Sequence, residues 1–210
     1  DSVRMYEMFM GPLTVSKPWN TQGLVGVNRF LEKIWTLSEK PITDIDITGS
    51  IEDKNLVSLR KTYAKTVKKV TQDTANLDFN VAISQMMIFV NEASKLETLP
   101  KQMWEGFILM LSPYAPHLGA ELWEKAGHTK TIAYEPWPTF SEEFCIEDTK
   151  QIVVSVNGKV RDKFEAATGT SKEELERLAK ETTGAKKFID GKTIVKVIVV
   201  PEKLVNIVVK

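Results

Sequence analysis

The side chains best placed to do chemistry in this sequence are cationic, and their spacings would align them. Lys61, Lys65 and Lys68 stand four and three residues apart, with Lys54 seven before Lys61 and with Arg60 and Lys69 alongside. On a helix they would form one positive ridge, since residues three and four apart are neighbours there. Lys159, Arg161 and Lys163 alternate, so on a strand they would share one face while Val160 and Phe164 turn to the core. Arg29 and Lys33, four apart, would share a helix face, and Lys186, Lys187 and Lys192 follow near the end of the chain. Rows of fixed positive charge suit phosphate oxygens; ordinary solvated outer faces carry such rows as well. Other chemistry is poorly supplied. One cysteine, Cys145, excludes an internal disulfide or a cysteine-rich zinc site. His117 follows Pro116 with no second histidine, serine nucleophile or metal ligand at a meaningful spacing, so no catalytic role is expected of it.

The net charge is zero, from 28 Lys and Arg against 28 Asp and Glu, but its distribution is uneven. Residues 1–148 carry 15 basic and 20 acidic side chains, a net −5, while 149–210 carry 13 and 8, a net +5. A compact basic module points toward a polyanionic partner. With 210 residues, 42% hydrophobic and 27% charged, the chain has enough apolar material for one large or two modest cores. No apolar run approaches the roughly 20 residues of a membrane span, so a cytoplasmic, membrane-free protein is expected. A first residue of Asp1 rather than methionine suggests a piece of something longer.

The elements that would hold these charges can be read from periodicity and breakers. Ser2 to Met10 predicts a short helix stopped by Gly11-Pro12. Leu24, Val27, Leu31, Ile34 and Trp35 recur at threes and fours and predict an amphipathic helix over 21–38, with Arg29 and Lys33 off its stripe. Lys40 to Gly49 is expected to be a connecting strap. Ser50 with Asp53 is close to a capping box and predicts the start of a long helix. Its series Leu56, Leu59, Tyr63, Val67, Val70, Thr74 and Leu77 is a heptad seam; a bundle suits it better than a coiled-coil dimer because the next helix follows closely. Asp78 is expected to cap an apolar helix over 79–96, where Met86 and Met87 read as core fillers rather than an adaptable groove. Pro100 opens a helix that must stop at Pro113, and Pro116 opens another that Gly127 ends. Trp137 and Phe140 anchor a strap, and Glu142, Glu143, Glu147 and Asp148 form an acidic hinge. Beyond it, Asn157-Gly158 is a two-residue hairpin signal. Ser171 with Glu174 predicts a capping box for a helix over 172–180. A short turn over 185–189 is closed by Gly191, and strands over 193–200 and 204–209 are joined by Pro201 to Lys203. The expected fold is mostly α: an antiparallel helix bundle over 1–148, then a small ββααββ α+β domain over 149–210.

Several strings together carry a family resemblance. They are LMLSPYAPHLGAELWE (Leu109 to Glu124), YEPWP (Tyr134 to Pro138), DSVRMYEMFMGPL (Asp1 to Leu13), GVNRFLEKIW (Gly26 to Trp35), VNGKVRDKFE (Val156 to Glu165) and KVIVVPEKLVNIVV (Lys196 to Val209). In this order they resemble the tRNA-binding end of class I aminoacyl-tRNA synthetases for branched aliphatic amino acids, and within that group the bacterial leucyl-tRNA synthetases. The valyl and isoleucyl types fit less well, because this chain ends in neither a coiled-coil heptad tract nor a zinc-type cysteine cluster. The resemblance implies an anticodon-binding-type helical domain, with 1–17 as the end of the connection from a catalytic domain and 130–148 as a linker strap. It also implies a C-terminal ubiquitin-like roll. The implied partner is tRNA(Leu), with no DNA, and the implied state is monomeric. The resemblance implies that Arg29 and Lys33 approach the tRNA backbone; the other candidate phosphate contacts, Lys61, Lys65, Lys68, Lys159, Arg161, Lys163, Lys186, Lys187 and Lys192, rest on spacing and local charge. No HIGH-like or KMSKS-like string and no editing insertion occurs, so this chain is expected to be non-catalytic and to need no cofactor. The full-length ligase implied would use ATP and Mg²⁺. A different class of function, a protein-interaction bundle with a ubiquitin-like tail, would use the methionine-rich helix as its groove.

Overall fold

The computed structural model describes residues 1–146 and 149–210 and divides into two compact units, Asp1–Ile146 and Glu147–Lys210. The expected boundary at Asp148, and Glu147 and Asp148 of the acidic hinge, lie outside the described residues.

The first unit is helical: α1 (Ser2–Phe9), α2 (Thr21–Leu37), α3 (Lys54–Ala75), α4 (Phe79–Ala93), α5 (Lys101–Leu111) and α6 (Pro116–Lys125). One apolar cluster joins them, built on residues such as Ile34, Leu59, Val67, Ile83, Met86, Phe89, Phe107 and Ile108. The heptad seam of α3 is buried at Leu56, Leu59, Tyr63, Val67 and Val70. It stops there. Thr74, the next expected member, is half-buried with its hydroxyl 2.6 Å from the Tyr114 hydroxyl, and Leu77, the last, lies beyond the helix with φ +62° and is 57% exposed, because the chain must turn sharply into α4. The start of α3 is later than Ser50. Asp53 is the N-cap, its carboxylate accepting from the Asn55 and Leu56 amides, and a carboxylate there satisfies donors that the helix leaves open. In α2 the buried set is Val27, Phe30, Leu31, Ile34 and Leu37. Phe30 and Leu37 take the arc that Trp35 was expected to share, and Trp35 is 41% exposed with the Lys125 ammonium 4.6 Å from its ring.

α4 ends at Ala93, short of Leu96, and Asp78 holds the N-cap position without a side-chain cap bond. At the other end the Lys40 ammonium donates to the carbonyls of Ser94 (2.8 Å), Ala93 and Leu96, satisfying acceptors a helix terminus leaves open. Part of the expected strap is ordered backbone pairing: β1 (Ile42–Thr43) runs parallel to β2 (Leu99–Pro100). The proline corner forms as the residues require. Ala115 is out of the helical region at φ −135° and ψ 75° before Pro116, and Gly127 at φ +96° closes α6 with paired bonds from the Gly127 and His128 amides to Glu124 and Trp123 carbonyls. A Cβ on Gly119 would lie 2.9 Å from Ser112 Cα, so only glycine lets α6 fold back this tightly.

The second unit holds β3 (Thr149–Val156), β4 (Lys159–Ala167), α7 (Lys172–Glu181), α8 (Thr183–Ile189), β5 (Ile194–Val200) and β6 (Leu204–Val209). Its sheet is mixed, in the order β4-β3-β6-β5, with β3 parallel to β6 and both outer pairs antiparallel. Ile152, Val154, Val156, Val205 and Ile207 pack with Leu175, Ala179 and Ala185 of the helices, so one sheet face is covered. Asn157 (φ +48°) and Gly158 (φ +78°) form the expected hairpin turn, for which two left-handed residues are needed. The Asn157 side chain then makes two bonds to the Val209 backbone. Of the expected capping box only the Ser171 half forms, its hydroxyl accepting from the Glu174 amide, because the Glu174 carboxylate is taken by Arg177.

Candidate nucleic-acid interface

The basic residues of the helical unit are less available than their spacing suggests. Arg29 is exposed on α2, but the Lys33 ammonium donates to Asn91 Oδ1 at 2.7 Å, bridging to α4. Lys61, Lys65 and Lys68 do share the α3 ridge, yet all three are half-buried. The Lys68 ammonium lies 2.8 Å from Glu142, whose carboxylate holds the lysine above its ordinary pKa. Lys69 pairs with Asp73 at 3.1 Å. Arg60 is turned inward: one guanidinium nitrogen donates to the carbonyls of Ile47 (3.1 Å) and Gly49 (2.7 Å), and the group lies 4.2 Å from the Phe144 ring.

In the second unit the expected row on β4 is broken, which corrects the sequence reading. Val154 of β3 is opposite Asp162, but Ser155 is opposite Val160, leaving Arg161 as the extra residue of a β-bulge. Directly opposed residues share a sheet face. Lys159, opposite buried Val156, therefore stands on the helix-bearing face, whereas Lys163, opposite Val153, stands on the other. Val160 goes with Lys163 and is 61% exposed instead of facing the core. Phe164, past the bulge, packs on the core as expected.

A tertiary contact accounts for the bulge. The Arg161 guanidinium lies 3.7 Å from the Phe188 ring of α8. The Asp162 carboxylate accepts from the Gly184 amide at 2.7 Å, and that bond, followed by one from the Lys163 amide, holds the carboxyl below its ordinary pKa. A Cβ on Gly184 would come 2.3 Å from the Arg161 carbonyl oxygen, so glycine is what lets α8 dock there. Lys186 and Lys187 are exposed on α8 and Lys192 is exposed just after it. The helix-bearing side thus collects Lys159, Arg161, Lys186 and Lys187. The opposite face carries Lys163 with Lys196, a residue the sequence reading passed over, beside exposed Ile198 and Val200. No residue near Arg161 signals the bulge in the sequence.

Both histidines are tied to carboxylates. His117 Nδ1 is 2.9 Å from Asp1, which also accepts from the His117 and Leu118 amides and so caps α6; Arg4 meanwhile donates to the Pro113 carbonyl. His128 stacks on Trp123 at 3.6 Å and meets Glu105 at 2.8 Å. Among the described residues no group of three or more His, Cys, Asp or Glu could hold a metal ion, and no helix is long and apolar enough to cross a membrane. Met86 is fully buried and Met87 packs against the same core, so α4 presents no methionine groove.

A bundle of this kind followed by a small mixed sheet with exposed lysines has relatives among the ligases that charge tRNA. Residues 58–176, more than half of the chain, match the family described as the anticodon-binding domain of tRNA ligase, and the chain belongs to that family. It is 50% identical over 223 aligned residues to a leucine–tRNA ligase of Treponema pallidum subsp. pallidum, a match that takes in 99% of this chain and 25% of that protein. The chain thus spans about a quarter of the length of this curated relative. Its fold is also that of the LeuRS in the crystal structure of the ternary complex of Agrobacterium radiobacter K84 agnB2 LeuRS-tRNA-LeuAMS. That likeness has a TM-score of 0.79 at 22% identity, over 100% of this chain and 29% of that one.

Proposed function

We propose that this chain is the tRNA-binding part of a class I leucine–tRNA ligase and that it holds tRNA(Leu) so that the acceptor end reaches a catalytic domain. There leucine would be activated with ATP and Mg²⁺ and transferred to the tRNA. The observation that carries this reading is the 50% identity to a leucine–tRNA ligase across nearly the whole chain. Residues 1–148 would be the helical tRNA-binding domain, with 1–17 as its connection to the catalytic part and 130–148 as a strap. Residues 149–210 would be a basic tRNA-binding module; its two central strands, first and last in order and parallel, support a ubiquitin-like roll. Arg29, Lys33, Lys61, Lys65, Lys68, Lys159, Arg161, Lys163, Lys186, Lys187 and Lys192 remain the candidate phosphate contacts. The protein would act as a monomer in the cytoplasm. Its contribution to rate would be orientation: energy released by remote contacts lowers the entropy cost of bringing two reactants together.

The test is a salt titration. The chain should bind a tRNA(Leu) transcript with log affinity falling linearly against log salt, by roughly 0.7 to 0.9 per phosphate neutralised. Absence of binding at low salt would overturn the proposal, as would binding that does not respond to salt.

A further inference from the structure

The ridge of α3 is already occupied from within. After the strap anchored by Phe140 and Trp137, whose indole donates to Thr71 of α3 at 2.7 Å, the chain makes a single turn over Glu142–Cys145 against this helix. Phe144 is seated on the Arg60 guanidinium, which is itself fixed by the Ile47 and Gly49 carbonyls. That seating brings the Glu142 carboxylate to 2.8 Å from Lys68. Lys61 and Lys65 on the same ridge are not free either. A carboxylate held on a lysine by an aromatic anchor supplies the oxygens and the negative charge that a phosphate would supply. The pair is also exchangeable. Glu142 is 68% exposed in its side chain, and exposed ion pairs are worth little in water.

We infer that the acidic turn 141–146 is an internal occupant of the α3 ridge, and that an RNA backbone reaches Lys68 by displacing Glu142. The inference rests on the tRNA reading above and adds a competition to it. The turn carries its own reporter, because Cys145 is the chain's only cysteine and sits half-buried against this surface. Burial first, and Glu142 second, raise its thiol above the ordinary value, so it should react slowly while the turn is seated.

The experiment compares the wild-type chain with Glu142→Gln and with Glu143→Gln, each checked for folding by circular dichroism, in binding a tRNA(Leu) transcript. Glu143 accepts from the Ser141 hydroxyl at 3.1 Å, so its variant removes equal charge without releasing Lys68. Glu142→Gln should bind about two- to fivefold more tightly than wild type, the range set by an exposed ion pair, and Glu143→Gln should gain less. In the wild type, transcript should accelerate labelling of Cys145 by a thiol reagent in a saturable way. An unchanged or lower affinity for Glu142→Gln, a gain matched by Glu143→Gln, or labelling that RNA leaves unchanged or slows would overturn the inference. If Glu142→Gln does not fold, the labelling alone decides. Wild-type binding that Glu142→Gln merely equals defeats this inference and leaves the tRNA reading standing. If no variant binds at low salt, the tRNA reading falls and takes this inference with it.

Discussion

In the helical unit the ridge lysines lie half-buried beside carboxylates, Lys68 on Glu142 and Lys69 on Asp73, whereas in the α+β unit Lys163, Lys186, Lys187 and Lys192 stand exposed. The difference follows from how each unit buries its core. A long helix inside a bundle has covered neighbours on both sides of its seam, so residues flanking the seam are partly enclosed and acidic segments can settle on them. A small sheet with helices on one face leaves its other face and its helix exteriors to solvent. Equal numbers of lysines in a sequence therefore need not make equal fields. The segments differ in net charge as well, −5 against +5.

The largest effect that can sharpen this comparison is on stability. Phe107 is fully buried between Phe89, with ring centroids 4.9 Å apart, and Trp104, at 5.7 Å. Phe107→Ala should cost the helical unit about 3–5 kcal/mol. Because each unit has its own apolar cluster, calorimetry should show one transition lowered and the other unmoved. A single transition that shifts as a whole would mean the two cores are not energetically separate.

Next in size is RNA affinity. The combination Lys159→Glu, Lys186→Glu and Lys187→Glu, all on one side of the sheet, should weaken transcript binding by about tenfold more than Lys61→Glu, Lys65→Glu and Lys68→Glu. It should also flatten the salt dependence by roughly two units, at about 0.7 per lost contact. If the ridge variant loses more affinity and more slope, the bundle carries the main RNA surface despite its cover. Arg161 is left out because its guanidinium packs on Phe188, so a loss there would mix folding with binding.

The smallest effect is a pH dependence confined to the α+β unit. The Asp162 carboxyl is held below its ordinary value of 3.8 by the Gly184 and Lys163 amides. A depressed carboxyl pKa contributes stability that is present above the unfolded value and lost as pH falls through the folded one. Asp162→Asn should lower the melting temperature of this unit at pH 7 and reduce the difference between the two proteins below pH 3.8. An undiminished difference in acid would show that Asp162 acts through shape rather than charge.

Much of this molecule is legible because it is local. The α3 seam from Leu56 to Val70, the stop at Pro113, the restart at Pro116, the Gly127 cap and the Asn157-Gly158 turn each depend on a few neighbouring residues and their allowed dihedral angles. Where local signals compete, packing chooses between them. Asp53 outdid Ser50 as the α3 cap, and Phe30 and Leu37 displaced Trp35 from the buried arc of α2. The β4 row failed for a different reason. A strand's faces alternate with period two, so one inserted residue exchanges them all beyond it.

The sequence by itself determined which segments are helical or extended, where proline and glycine break them, and how charge divides along the chain, because those properties depend on near neighbours. Only the tertiary structure decided that Lys159 and Lys163 part company, since the bulge is braced by Phe188 and Gly184 more than twenty residues downstream. It alone brought Asp1 to the start of α6 and Glu142 onto Lys68, pairings of residues 117 and 74 positions apart. Contacts at that range depend on how whole elements pack, and no spacing in the chain encodes them.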